Sequence, residues 1–165
     1  MLEADGRVTY LPSKDYHGSD AFLYTLSDGN NGSDTGMVSM TVTPVNDAPG
    51  PFQRLTPVDN DSTMTRNVEF TWTKPVDVDG DEITYSLRVS VDQIDSTFST
   101  SGIALQIDLD NLGVTTGSKT VSWSLLASDG VLSTMPDNGD GEIFLPSVTA
   151  IRDEPGLLPA GAEGD

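Results

Sequence analysis

Apolar residues recur at every second position along this chain, in short runs that polar turn residues cut off. The rows are Val8 and Tyr10; Phe22, Tyr24 and Leu26; Val38, Met40 and Val42; Val68, Phe70 and Trp72; Tyr85, Leu87 and Val89; and Val121, Trp123, Leu125 and Ala127. A period of two places each row on one face of an extended strand, whereas a helix needs a period near 3.6. Between the rows stand Asp-Gly and Asn-Gly pairs such as Asp28-Gly29 and Asn31-Gly32, the residues that tolerate the backbone of tight hairpin turns. The chain is therefore expected to be all-β. Residues 1–49 read as one unit with strands at 6–12, 19–26 and 36–42. Residues 50–152 read as a second, seven-stranded β-sandwich. Its strands are expected at 52–57, 67–73, 82–91, 103–109, 119–127 and 142–149, with a short one near 96–99. Residues 153–165, rich in Pro, Gly, Ala and acid, read as a flexible acidic tail or linker.

The charge balance narrows the function. Acidic residues outnumber basic ones 26 to 8, for a net charge of −18. Nucleic acid is excluded as a partner, because phosphate binding needs clustered Lys and Arg. Anionic membrane surfaces are excluded on the same ground, and no apolar run approaches the ~20 residues of a spanning helix. Hard cations that bind oxygen are the natural counterpart of clustered carboxylates. The chain has no cysteine, which rules out disulfides, thiolate metal sites and a cysteine nucleophile.

Several spaced motifs agree with a known family. Val8-Thr9-Tyr10-Leu11-Pro12, then Tyr16-His17-Gly18-Ser19-Asp20-Ala21-Phe22-Leu23-Tyr24, then Ser27-Asp28-Gly29, then Val42-Thr43-Pro44-Val45-Asn46-Asp47-Ala48-Pro49 resemble the second half of a bacterial cadherin-like tandem repeat. Further on, Phe70-Thr71-Trp72 followed by Asp77-Val78-Asp79-Gly80-Asp81 and the strand at Tyr85 are similar to fibronectin-type-III or Ig-like modules of secreted bacterial proteins. The first resemblance implies an extracellular, calcium-dependent repeat protein. The missing first strands of such a repeat would leave an apolar face uncovered, so that the segment packs on the next domain, borrows strands from another chain, or is partly disordered. Met1-Leu2-Glu3-Ala4-Asp5 is not a signal peptide, so an extracellular reading implies an interior piece of a longer protein or another export route.

The candidate metal ligands begin with Asp77, Asp79 and Asp81. Alternating around Gly80, they allow a tight loop to converge three carboxylates on one Ca²⁺. The loop is not an EF-hand, since Arg88 stands where the bidentate Glu belongs. The cadherin-like resemblance implies that Asn46 and Asp47 of the linker join the Asp77 loop. The alternative is a solvated acidic turn, since Asp is favoured in turns for local reasons. Asp137-Asn138-Gly139-Asp140-Gly141-Glu142 reads as a surface turn of the latter kind.

No catalytic set emerges. Asp34-Thr35-Gly36 matches an aspartic-protease triplet but follows a turn instead of lying at the base of an apolar loop. Gly113 to Lys119 has the wrong spacing for a phosphate loop. His17, the sole histidine, reads as a surface turn. The aromatics Tyr10, Phe22, Tyr24, Trp72, Tyr85 and Trp123 are expected in the core. The chain therefore reads as a non-enzymatic spacer or adhesive element. Its expected partners are neighbouring repeats, identical chains, or a surface protein or glycan. Two alternatives are an accessory module of a secreted polysaccharide-degrading enzyme and a strand-swapped filament subunit.

Overall fold

Residues 6–63, 65–114 and 117–147 are described by the structure, a computed structural model. The expected tail at 153–165 and the end of the expected strand 142–149 lie outside those residues. The chain opens with a hairpin of β1 (Gly18–Ser27) and β2 (Ser33–Val42), paired antiparallel from Gly18↔Val42 to Ser27↔Ser33. The five residues between them are closed by Asp28. Its carboxylate accepts the N–H groups of Asn30 at 2.7 Å and Gly32 at 2.9 Å, while its own N–H donates to the Gly32 carbonyl at 3.1 Å. Gly36 leaves room for the Tyr24 ring across the pair: a Cβ there would stand 2.5 Å from Tyr24 Cζ.

The N–H groups of Asn30 and then Gly32 hold the Asp28 carboxyl below the usual aspartate range. A depressed carboxylate contributes stability above its unfolded pKa of about 3.9 and loses it as pH falls through the lower folded value. Acidification should therefore loosen the 28–32 turn only below pH ~3.9. The Asn30 and Gly32 amide resonances should titrate together with that depressed midpoint. A midpoint at or above 3.9 would remove the turn bonds from the account.

After the linker come β3 (Arg54–Thr56), β4 (Asp61–Ser62), β5 (Asn67–Trp72), β6 (Thr84–Val91), β7 (Ile94–Thr100) and β8 (Ala104–Asp108). A 3-10 turn at Leu109–Leu112 follows, then β9 (Lys119–Ser128), β10 (Ser133–Thr134) and β11 (Gly141–Leu145). One sheet runs β3-β5-β8 and the other β4-β11-β9-β6-β7, with β10 on β9. Setting aside the two-residue β4 and β10, seven strands divide three against four, which is the Ig-like or fibronectin-III-like β-sandwich.

Alternation dictates the interior. Val68, Phe70 and Trp72 on β5 face Tyr85, Leu87, Val89 and Val91 on β6 and Val121, Trp123, Leu125 and Ala127 on β9; all are buried. Phe70 meets Trp123 edge-on at 5.0 Å between ring centroids, and Trp72 lies 5.2 Å from Tyr85. Each of the larger aliphatic and aromatic side chains contributes about 1.5–3 kcal/mol by leaving water.

Three expectations differ from what is seen. Residues 6–12 form no strand, only a single bridging residue at Val8. Tyr10, Phe22 and Tyr24 are not core: among the described residues none before Pro49 is buried, and Tyr24 is 43% exposed. Alternation marks which side of a strand is apolar, but burial needs a second layer, and the hairpin has little of one. Finally, the short strand expected at 96–99 is a full edge strand, because Val91↔Ile94 closes a two-residue hairpin loop with Asp92 at φ +52.

Candidate metal centre at the seam

The linker leaves β2 at Val42 and enters the sandwich at Pro49, which is buried. Gly50 then donates its N–H to the Val76 carbonyl at 2.9 Å. A Cβ at Gly50 would lie 2.8 Å from that same oxygen, so this close approach requires glycine. The contact fixes the linker beside residues 76–82, the loop that leads from β5 into β6.

That loop is shaped by its first aspartate. Asp77 Oδ1 accepts the Asp79 N–H at 3.0 Å and the Asp81 N–H at 3.4 Å, and Gly80 turns the chain at φ +82. Carboxylate oxygens of Asp77, Asp79 and Asp81 then lie within 4.8 Å of one another. Two ligands of one Ca²⁺ at ~2.4 Å can stand at most ~4.8 Å apart, so the three fit a shared ion. Asp77 Oδ2 is out of contact with solvent and accepts no hydrogen bond. A buried carboxylate oxygen without a donor is costly, and a cation among these carboxylates would relieve that cost. Lys74 flanks the same loop beside Asp77 and Asp81.

Across the seam, the Asp47 N–H donates to Asp79 Oδ2 at 2.7 Å. Asn46 turns the other way: its side-chain amide donates to Asp129 Oδ2 at 2.8 Å, 83 residues along the chain, and to the Asp47 carbonyl at 3.2 Å. The linker is thus held by two carboxylates of the sandwich. Asp47 and Asp79 line a depression of about 230 Å³ together with Asp15, Tyr16 and His17 from the loop before β1. The structure gathers Asp77, Asp79 and Asp81, sets the Asp47 backbone against them, and engages the Asn46 amide elsewhere.

Asp129 was not singled out by sequence. Asn46, followed by the Leu132 and Val131 N–H groups, holds its carboxyl below the usual range. A signal was available: Ser128-Asp129-Gly130 repeats Ser27-Asp28-Gly29. The two turns are built alike. Ser27 Oγ accepts the Gly29 N–H at 3.3 Å and Ser128 Oγ the Gly130 N–H at 3.1 Å. Asp129 Oδ1 accepts the N–H groups of Val131 and Leu132 at 2.6 and 2.7 Å, as Asp28 does in its own turn.

Residues 1–41 match the bacterial Ig domain family, a match that covers the hairpin region and not the sandwich. No curated protein sequence matches the chain. Among solved structures, domains d3–d4 of the rat CD45 extracellular region are similar at 16% identity and a TM-score of 0.47, over 86% of this chain and 71% of that one. The endo-β-1,4-mannanase from Thermotoga petrophila is similar at 13% identity and a TM-score of 0.38, over 62% of this chain and 20% of that one. Among the described residues no helix is long and apolar enough to cross a membrane.

Proposed function

We propose that this chain is a non-catalytic module of an extracellular repeat or surface protein, and that Ca²⁺ held by the Asp77 loop stiffens its seam. The observation that carries the metal is the convergence of the Asp77, Asp79 and Asp81 carboxylates to within 4.8 Å, in a loop where Asp77 Oδ2 is a buried acceptor without a donor. The bacterial Ig domain match at residues 1–41 supports the extracellular module. Asp77, Asp79 and Asp81 would hold the ion. Asp47, already bonded to Asp79 through its N–H, and Asn46 beside it stand where the linker could add oxygens. The ion neutralises like charges that otherwise repel, and ties linker and loop to one centre. Work of this kind is done by reach and rigidity, with neighbouring repeats, a surface protein or a glycan as the partners.

Thermal unfolding in Ca²⁺, in Mg²⁺ and in EGTA tests the reading. A ligand bound by the native state alone, at ten times its dissociation constant, stabilises by about 1.4 kcal/mol. For a sandwich of ~100 residues that raises Tm by roughly 6–11 °C. The expected result is such a rise in Ca²⁺ and a much smaller one in Mg²⁺, which needs a stricter octahedron and sheds water reluctantly. Equal curves in Ca²⁺ and EGTA would reduce the loop to a solvated turn.

A further inference from the structure

Two of the seven asparagines precede a glycine, in the pairs Asn31-Gly32 and Asn138-Gly139. In such a pair the glycine nitrogen can attack the asparagine side-chain amide, because no Cβ on the glycine shields that nitrogen. This chemistry is one reason asparagine is thermolabile. It needs a side-chain amide free to turn onto the backbone, a base for the N–H proton and an acid for the departing ammonia.

The fold gives the two pairs opposite surroundings. Asn138 is locked by both ends of its amide: Oδ1 accepts the Arg54 N–H at 2.9 Å, and Nδ2 donates to the Arg54 carbonyl at 3.0 Å. The Gly139 N–H donates to the Pro136 carbonyl at 3.0 Å, and a peptide carbonyl is not a useful base. Asn31 stands exposed in the turn between β1 and β2, at φ +71, and among the described residues no hydrogen bond holds its side chain. The Gly32 N–H donates to Asp28 Oδ1 at 2.9 Å. That lies inside the ~2.6–3.2 Å over which a general base takes a proton. The Asp28 carboxylate is packed so closely on this glycine that a Cβ on Gly32 would collide with it.

From this we infer that Asn31 is a site of self-modification, converted to aspartate or isoaspartate with Asp28 as the general base. Asp28 takes the Gly32 N–H proton as that nitrogen bonds to Asn31 Cγ. The carboxylic acid then returns the proton to the side-chain nitrogen as its bond to Cγ breaks and ammonia leaves. Water opens the resulting cyclic imide at either carbonyl. One water is consumed and one ammonia released, and nothing is oxidised or reduced. Each event adds one negative charge, taking the formal net from −18 to −18 − 1 = −19. Opening at the backbone carbonyl also routes the main chain through an extra methylene just before Gly32. The Gly32 carbonyl accepts the Asp28 N–H at 3.1 Å to close the hairpin, so that product loosens the turn. The site is separate from the metal loop and does not depend on it.

The test incubates the full chain at neutral pH, with and without urea, and follows both pairs by peptide mass spectrometry. In the native protein Asn31 should gain one mass unit at least about tenfold faster than Asn138, and faster than it does in urea. In urea the two sites should react alike. Asp28→Asn keeps an oxygen acceptor for the Gly32 N–H but supplies no base. It should slow Asn31 at least about tenfold in the native protein and leave its rate in urea unchanged. Fragment ions separate residue 31 from the amide introduced at residue 28. Three results would overturn the inference. In the first, native Asn31 is as slow as Asn138. In the second, native Asn31 reacts more slowly than in urea, which would make the turn a shield. In the third, Asp28→Asn leaves the native rate at Asn31 unchanged.

Discussion

Arg54→Ala is expected to cost the sandwich about 3 kcal/mol or more, lowering its Tm by roughly 12–24 °C. Arg54 is 7% exposed and is, among the described residues, the one charged side chain that is buried. Its Nη2 donates to the Asn138 carbonyl at 2.7 Å and to the Asp140 carbonyl at 2.6 Å. Hydrogen bonds from a charged donor contribute about 1.5–3 kcal/mol each. The guanidinium also sits 4.7 Å from the centroid of the Trp123 ring, where a desolvated cation adds up to about 2 kcal/mol. The backbone of Arg54 is tied to the same loop: its N–H donates to Asn138 Oδ1 at 2.9 Å, and Asn138 Nδ2 donates to its carbonyl at 3.0 Å. Those two bonds survive the substitution, so the loss reads the side chain alone. The fit is close, since a Cβ on Gly141 would stand 2.0 Å from Arg54 Nη1. Arg54→Lys keeps the charge but not the flat guanidinium stacked on Trp123, and should recover at most half of the loss. An unfolding free energy from urea denaturation of Arg54→Ala within 1 kcal/mol of the parent's would show the guanidinium to be spectator packing.

This arrangement also marks where reading by sequence succeeds and where it fails. The sandwich core was legible because Trp72, Tyr85 and Trp123 sit in alternating rows, and alternation decides sidedness wherever a covering sheet exists. Arg54 gave no signal: an Arg in a short strand is ordinary in sequence, and its partners lie 84 and 86 residues away. The hairpin aromatics failed for the converse reason, since their pattern is correct but Tyr24 and, beside it, Leu26 stay 43% and 63% exposed. β7 was underestimated because its hairpin is turned by Asp92-Gln93, which lacks the usual glycine, with Asp tolerating the left-handed backbone. At the seam, Asp77, Asp79 and Asp81 were legible because one loop contains all three. Asp129 was hidden because its tie to Asn46 is formed only by the docking of the linker on the sandwich.

Asp77→Asn should abolish the Ca²⁺-dependent rise in Tm and leave the metal-free protein melting no lower than the parent. Asn keeps Oδ1, so the N–H groups of Asp79 and Asp81 retain their acceptor and the loop retains its shape. At the position of Oδ2 it places an amide N–H₂, which cannot ligate a cation. One negative charge leaves a cluster whose oxygens lie within 4.8 Å of each other, and that relieves repulsion in the absence of metal. Asp77→Ala differs, because it removes the acceptor as well and should lower Tm with or without Ca²⁺. Asp79→Ala removes one carboxylate of the proposed centre together with the acceptor of the Asp47 N–H, so it should lose Ca²⁺ binding by titration calorimetry and also loosen the linker. The asparagine variant therefore separates the two readings of this loop. A turn without a metal predicts the same small effect of Asp77→Asn in Ca²⁺ and in EGTA. A metal centre predicts a variant that melts at or slightly above the parent in EGTA and below it in Ca²⁺ by up to the calcium increment, roughly 6–11 °C at ten times the dissociation constant.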